Sequence, residues 1–159
     1  MTATHIRKPK IYVETTLFNY YFDKDRDILH TNTVELFKQI AAGKYEAYTS
    51  DAVIRELELA PEPKRGKMLD LIPEYRITVL KPNEAAERLA DIYIAEGVIP
   101  PTHREDGLHI AIATVNALDI IFSLNFKHIV KGRTILETGK INAWHGFRAI
   151  EFNSPMGVD

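Results

Sequence analysis

Ile11-Tyr12-Val13-Glu14 is a three-residue apolar run closed by a carboxylate. A run this short, with β-branched Ile11 and Val13, reads as a buried strand. Glu14 then stands at the strand's carboxyl end. Comparable runs recur downstream: Tyr45 to Thr49, Arg76 to Leu80, Ile120 to Ser123 and Phe147 to Phe152. Helical patterns separate them. From Thr31 to Ala42, the residues Val34, Phe37, Ile40 and Ala41 share one face. Asn32 and Glu35 suit a capping box there, and Gly43 a stop. Ser50 caps a helix whose Val53, Ile54 and Leu57 face inward, stopped by Pro61. A shorter helix spans Lys64 to Leu71. Asn83 caps another, with Ala86, Leu89, Ala90 and Tyr93 inward and an end at Gly97. Pro100-Pro101 keeps the segment Val98 to Arg104 from being helical throughout, and helix returns from about Glu105 to Ala117. Residues Asn125 to Trp144 read as mostly helical, broken at Gly132 and Gly139. Strands that alternate with helices in this way predict an α/β fold: a mainly parallel sheet with helices on both faces.

The 159 residues contain no linker, repeat or low-complexity tract, so one domain is expected over 1–159, with 153–159 as a loose tail. A hydrophobic fraction of 45% and a charged fraction of 26% are those of a soluble globular protein. The formal net charge of -2 supplies no global field to attract nucleic acid, although local contacts remain open to it. The absence of cysteine excludes disulfides, thiolate zinc sites and cysteine nucleophiles. Met1 to Lys10 is polar and lacks the apolar core of a secretory signal, and no apolar stretch approaches a membrane span. The expected location is the cytoplasm. Arg7, Lys8 and Lys10 read as a solvated lead-in.

Three acids are placed to meet. Open parallel sheets form sites beyond the carboxyl ends of their strands, where strand order reverses. Glu14 sits at the end of the first strand, with Ser123 and Asn125 at the end of the fourth. Glu56 lies one turn into the helix that leaves the second strand, and Asp106 begins the helix that leads into the fourth. Converging carboxylates repel one another, and a hard divalent cation is the usual remedy. Asp119 precedes the fourth strand and belongs at the opposite end of the sheet. Arg104, Lys127, Lys131 and Arg133 are candidates for a basic rim that grips phosphates. His109, one turn after Asp106, is placed to touch the site, but reads first as a partly buried helix histidine hydrogen-bonded to backbone. Phe18, Tyr20 and Tyr21 read as packing or interface residues. No phosphate-binding loop, dinucleotide fingerprint or nucleophile elbow is present.

Four blocks together resemble the PIN domains, the ribonuclease domains of VapC-type toxins. They are Ile11-Tyr12-Val13-Glu14-Thr15-Thr16, Ser50-Asp51-Ala52-Val53-Ile54-Arg55-Glu56, Asp106-Gly107-Leu108-His109-Ile110-Ala111 and Ser123-Leu124-Asn125-Phe126-Lys127-His128. The resemblance implies a three-layer α/β/α sandwich with strand order 3-2-1-4-5. It also implies Mg²⁺ or Mn²⁺, hydrolysis of RNA phosphodiesters, a homodimer and an antitoxin partner. By position, Glu14, Glu56 and Asp106 would be the catalytic acids and metal ligands. Asn125 would be the fourth polar residue, with Thr16 and Ser123 in support and Arg104 and Lys127 on the substrate. Glu14 departs from the family's usual Asp, and its extra methylene displaces the carboxylate by up to one bond length. A non-catalytic PIN-like module that binds RNA or a protein is the alternative.

Overall fold

The computed structural model describes residues 7–157, so the polar lead at Met1 to Ile6 and the tail's Val158 and Asp159 lie outside the described residues. Five strands form one sheet: β1 (Lys10–Val13), β2 (Glu46–Ser50), β3 (Thr78–Leu80), β4 (Ile120–Phe122) and β5 (Glu151–Asn153). The order is β3-β2-β1-β4-β5, and every neighbouring pair is parallel. The helices α1 (Thr15–Tyr20), α2 (Asp27–Ala41), α3 (Asp51–Leu57), α4 (Lys64–Glu74), α5 (Glu84–Ala95), α6 (Arg104–Val115) and α7 (Gly132–Trp144) complete a three-layer α/β/α sandwich. Strand order reverses between β1 and β4, so the crevice expected of such sheets opens between their carboxyl ends.

Local chemistry explains most boundaries. Ser50 Oγ accepts from Val53 N and caps α3, while Asn83 Oδ1 accepts from Ala86 N at 2.9 Å and caps α5. Gly43 and Gly97 adopt positive φ just past α2 and α5, the left-handed stop that glycine makes without steric cost. The helix α6 is buried from Gly107 through Thr114, hence apolar on nearly every side rather than amphipathic. Gly107 packs beside Ile99 and Tyr93, where an added Cβ would sit 3.4 Å from Ile99, at the near edge of ordinary contact. Tyr93 donates to Asn142 Oδ1 at 2.6 Å and Asn142 Nδ2 donates to Thr114 Oγ1 at 3.3 Å, which ties α5, α6 and α7 together.

Several boundaries differ from expectation. The helix α2 begins at Asp27, four residues before Thr31. Asn32 donates to Ile28 O instead of opening a capping box, and Asp27 supplies a first-turn negative charge that suits the helix dipole. Of the expected apolar face, Phe37 and Ile40 are buried, but Thr33 and Leu36 replace Val34 and Ala41 as its other buried members. The aromatic stretch after Glu14 contains α1, whose Phe18 is in the core, while the Tyr21 hydroxyl bonds that of Tyr75 at 2.7 Å. Residues 125–131 are turns: the Asn125 carbonyl accepts from both Ile129 and Val130, and α7 starts only at Gly132. The last strand is confined to Glu151–Asn153. The expected loose tail is ordered through Gly157, because Asn153 pairs in β5 and a 3-10 turn at Pro155–Gly157 packs on α2 with Pro155 buried.

Asp119 lies at the amino end of β4, as its position in the sequence required. It accepts from Arg7 through both oxygens at 2.8 Å, from Lys10 N at 2.7 Å and from Arg148 at 3.0 Å. Arg7 is therefore a tether rather than a free lead-in. The Arg7 hydrogen bonds hold the Asp119 carboxyl well below the usual aspartate range. A depressed folded value stabilises above the ordinary value and is lost as pH falls through it. Asp119→Asn is expected to cost about 1–2 kcal/mol in urea denaturation at neutral pH. The gap to wild type should narrow in acid.

Candidate active site

The turn after β1 places Glu14 in the crevice and makes it the N-cap of α1. Its Oε1 accepts from Thr16 N at 3.2 Å, Thr16 Oγ1 at 2.6 Å and Ser123 Oγ at 2.6 Å. Thr16 Oγ1 in turn accepts from Leu124 N at 2.8 Å, and Ser123 Oγ accepts from Asn125 N at 2.9 Å. Thr16 and Ser123 thus clasp Glu14 and join the ends of β1 and β4. Glu14 is 2% exposed. Burial pushes its carboxyl above the ordinary glutamate value, against the pull of His109, Ser123 and Thr16.

Glu56 enters from α3. Its Oε1 accepts from Thr15 Oγ1 at 2.9 Å and lies 2.5 Å from His109 Nε2. Burial raises the Glu56 carboxyl, but the His109 hydrogen bond and charge outweigh it, and the net displacement is downward. His109 corrects its expected bonding to backbone. It is fully buried, and its other nitrogen, Nδ1, lies 2.7 Å from the Tyr12 hydroxyl, which bonds Ser50 Oγ at 2.7 Å. Burial lowers His109, yet Glu56, Glu14 and Asp106 together raise it above the ordinary histidine value. In its protonated form the ring can donate to Glu56 and Tyr12 at once.

Asp106, half-buried in the first turn of α6, is raised by burial and opposed by the charges of His109, His128 and His103 and by the Asn125 side chain. Asn125 Oδ1 accepts from His128 N at 3.0 Å, which closes the turn after β4. Glu56 therefore bonds His109 directly at the carboxyl edge of the sheet, while Glu14 and Asp106 act on the same ring through charge alone. Glu105, beside Asp106, is exposed and pairs with Arg55 at 3.6 Å.

The basic rim divides. Arg104 is engaged by Glu87 at 2.7 Å and Asp91 at 2.9 Å on α5, so its charge is already compensated. Lys127 and Lys131 are exposed and near enough to act on His128, beside Asp106. Tyr12 and Thr15 are the contacts that the sequence reading missed, and it gave His109 only as the lesser of two readings. Tyr12 looked like core, and only the spacing of His109 three residues after Asp106 hinted at its place.

The donor set suits a hard cation: it is all oxygen, and among the described residues no hydrogen bond occupies Oε2 of Glu14 or of Glu56. Among the described residues no three acids or histidines are placed to share one ion. Mg²⁺ commonly takes one or two carboxylates and keeps several waters, so two of these acids suffice for it.

No family model and no curated protein sequence matches the chain. Solved structures do. The Rickettsia felis VapBC2 complex, bound to a DNA fragment from its promoter, aligns with a TM-score of 0.57 at 16% identity, covering 91% of this chain and 98% of that one. The DNA-bound VapBC of Salmonella typhimurium aligns with a TM-score of 0.55 at 13% identity, covering 92% and 98%. Mycobacterium tuberculosis VapC20, a toxin that cleaves the Sarcin-Ricin loop, gives 0.52 at 13%, covering 88% and 98%. The chain has the PIN fold of these toxins.

Proposed function

We propose that this protein is a metal-dependent ribonuclease that hydrolyses RNA phosphodiester bonds, and that it acts as the toxin of a toxin–antitoxin pair. The observation that supports the reading is that Glu56 bonds His109 while the charges of Glu14 and Asp106 bear on the same ring, beside the point where strand order reverses. A bound divalent cation would offset the charge of these carboxylates and favour their ionised form, against the burial that pushes Glu14 and Asp106 up.

Glu14 and Asp106 would hold Mg²⁺ or Mn²⁺ in this scheme, with the free oxygen of Glu56 turned to an ion-bound water. When bound, the ion supplies a water of lowered pKa and offsets charge on the phosphate. Ser123 and Thr16 fix the Glu14 carboxylate so that it need not reorganise. His109 and Thr15 fix Glu56 in the same way, and Asn125 orders the turn that carries Lys127 to the rim. Lys127 and Lys131 supply local positive charge for the RNA backbone, in place of the engaged Arg104.

An antitoxin partner and a homodimer accompany this reading. Trp144 and Leu59 are 87% and 86% exposed, large apolar side chains of the kind interfaces cover. Among the described residues no helix is long and apolar enough to cross a membrane, and a cytoplasmic site of action is part of the proposal. One observation favours a non-catalytic module that binds RNA or a protein: protein donors already satisfy an oxygen of both Glu14 and Glu56. Cleavage of mixed RNAs decides between them. Hydrolysis in Mn²⁺ that stops in EDTA is expected. Binding without cleavage in Mg²⁺ and Mn²⁺ alike would establish the module instead.

A further inference from the structure

We propose that the outer face of α7 is the surface on which this chain meets a second copy of itself, the two helices lying antiparallel about a two-fold axis beside Gly139 and Lys140. The proposal rests on the homodimer of the proposed function, to which it gives a face, and it needs neither metal nor RNA.

The amphipathicity of α7 is inverted for a helix that packs on a core. It turns Thr134, Thr138 and Asn142 inward, where hydrogen bonds hold them. Thr138 Oγ1 donates to Thr134 O at 2.7 Å, and Asn142 bonds Tyr93 and Thr114. The large apolar side chains point outward, Leu136 at 58% and Trp144 at 87% exposed. Leu136, Gly139, Lys140, Ala143 and Trp144 follow the i, i+3, i+4, i+7, i+8 spacing of a single helical stripe, and all five are exposed. An apolar stripe turned to solvent marks an interaction surface.

Gly139 supplies an independent observation. It stands in mid-helix, where glycine weakens a helix relative to alanine. A Cβ added there would meet nothing within 4 Å, so no contact inside the protein calls for a glycine. A second helix crossing at that point does, because two backbones approach closely only where no side chain intervenes.

Charge identifies the occupant. Glu137 and Lys140 pair at 3.6 Å within the protomer, with side chains 37% and 65% exposed, so the face carries both signs at its centre. An antiparallel copy sets each Lys140 beside Glu137 of the second copy and each Leu136 against Trp144 of the second copy. A two-fold contact demands that kind of self-complementarity. Leu136 and Trp144 lie eight residues apart, about 12 Å along the axis. A hollow of about 380 Å³ beside Trp144, lined by Ile92, Ile141 and His145, has room for the incoming leucine. One helix face is smaller than the roughly 800 Å² per partner of a standard interface, so a dissociation constant on the order of micromolar is expected.

The test is sedimentation equilibrium of the untagged full chain, over concentrations from about a tenth of that constant to about a hundred times it. Trp144 is the only tryptophan in the sequence, so its fluorescence reports on this face directly. Mass should rise from one chain to two, and the Trp144 emission should move to shorter wavelength in step. Gly139→Gln and Trp144→Ser should each weaken the dimer by more than about tenfold, since each acts at the centre or the anchor of the contact. Both positions are exposed, so neither change disturbs the core. Glu137→Lys and Lys140→Glu should each weaken it alone, and the double exchange should restore it. Leu59→Ser removes an equally exposed apolar side chain elsewhere and should leave the dimer unchanged. A chain that stays monomeric would overturn the proposal and give the face to a different protein. A dimer that leaves the Trp144 emission unmoved, or that survives Gly139→Gln, would overturn it as well. These readouts involve no cleavage, so the interface and the nuclease reading fail separately.

Discussion

Asp106→Asn is expected to reduce RNA cleavage by at least about a hundredfold while leaving the protein as stable as wild type, or slightly more so. The substitution keeps shape and removes one charge. Asp106 stands half-buried in the first turn of α6, and its charge bears on His109, His128 and His103. Metal-assisted hydrolysis draws several kcal/mol from charge stabilisation at the ion. Forfeiting about 3 kcal/mol of that slows the reaction about a hundredfold. The stability expectation has the opposite sign for the same physical reason. Burial already pushes the Asp106 carboxyl up, so its ionised form is held at a cost that the amide does not bear. Activity and thermal midpoint should therefore part company, the usual mark of a site where charge is kept for chemistry. Wild-type cleavage by Asp106→Asn would remove Asp106 from the mechanism. A thermal midpoint lowered by many degrees would make it a structural residue instead.

What the sequence disclosed was mainly local. The run Ile11-Tyr12-Val13 identified β1, Ser50 and Asn83 are caps, and Gly43 and Gly97 are stops, because each acts through bonds to its immediate neighbours. The alternation of strand and helix carried the parallel sheet, and the likeness to PIN domains supplied the strand order. The start of α2 was obscured by Asn32, whose side chain competes equally well for backbone inside a helix. Contacts at long range left no local trace. The Glu56–His109 bond spans 53 residues of sequence and the Tyr12–His109 bond 97. The pairing of Arg104 with Glu87 and Asp91 depends on how α5 and α6 are seated, which their spacing does not reveal. Composition did establish that any metal site must rest on oxygen and imidazole, since no thiol exists.

His109→Ala should lower stability by about 3 kcal/mol near pH 5.5, with the loss shrinking as pH rises. The imidazole bridges Glu56 and Tyr12 from a fully buried position. Its removal leaves Glu56 without its closest donor and Tyr12 without a partner on that side. Breaking a buried charged pair from one end costs about 3–5 kcal/mol. Because the Glu56 side chain is 31% exposed, the low end applies. The pH dependence follows from two opposite displacements. The His109 value is raised, so its share is complete below the ordinary 6.5 and is lost as pH rises through the folded value. The Glu56 value is lowered, so its share is complete above the ordinary 4.5 and is lost as pH falls through the folded value. Both are at full strength only between those two ordinary values. Urea denaturation of wild type and variant in EDTA, at about pH 5.5 and about pH 9, measures the difference. A gap that is the same at both pH values would show that His109 serves as a neutral packing residue. A gap that closes in alkali would show that an imidazolium cation holds the carboxylates together when no metal is bound.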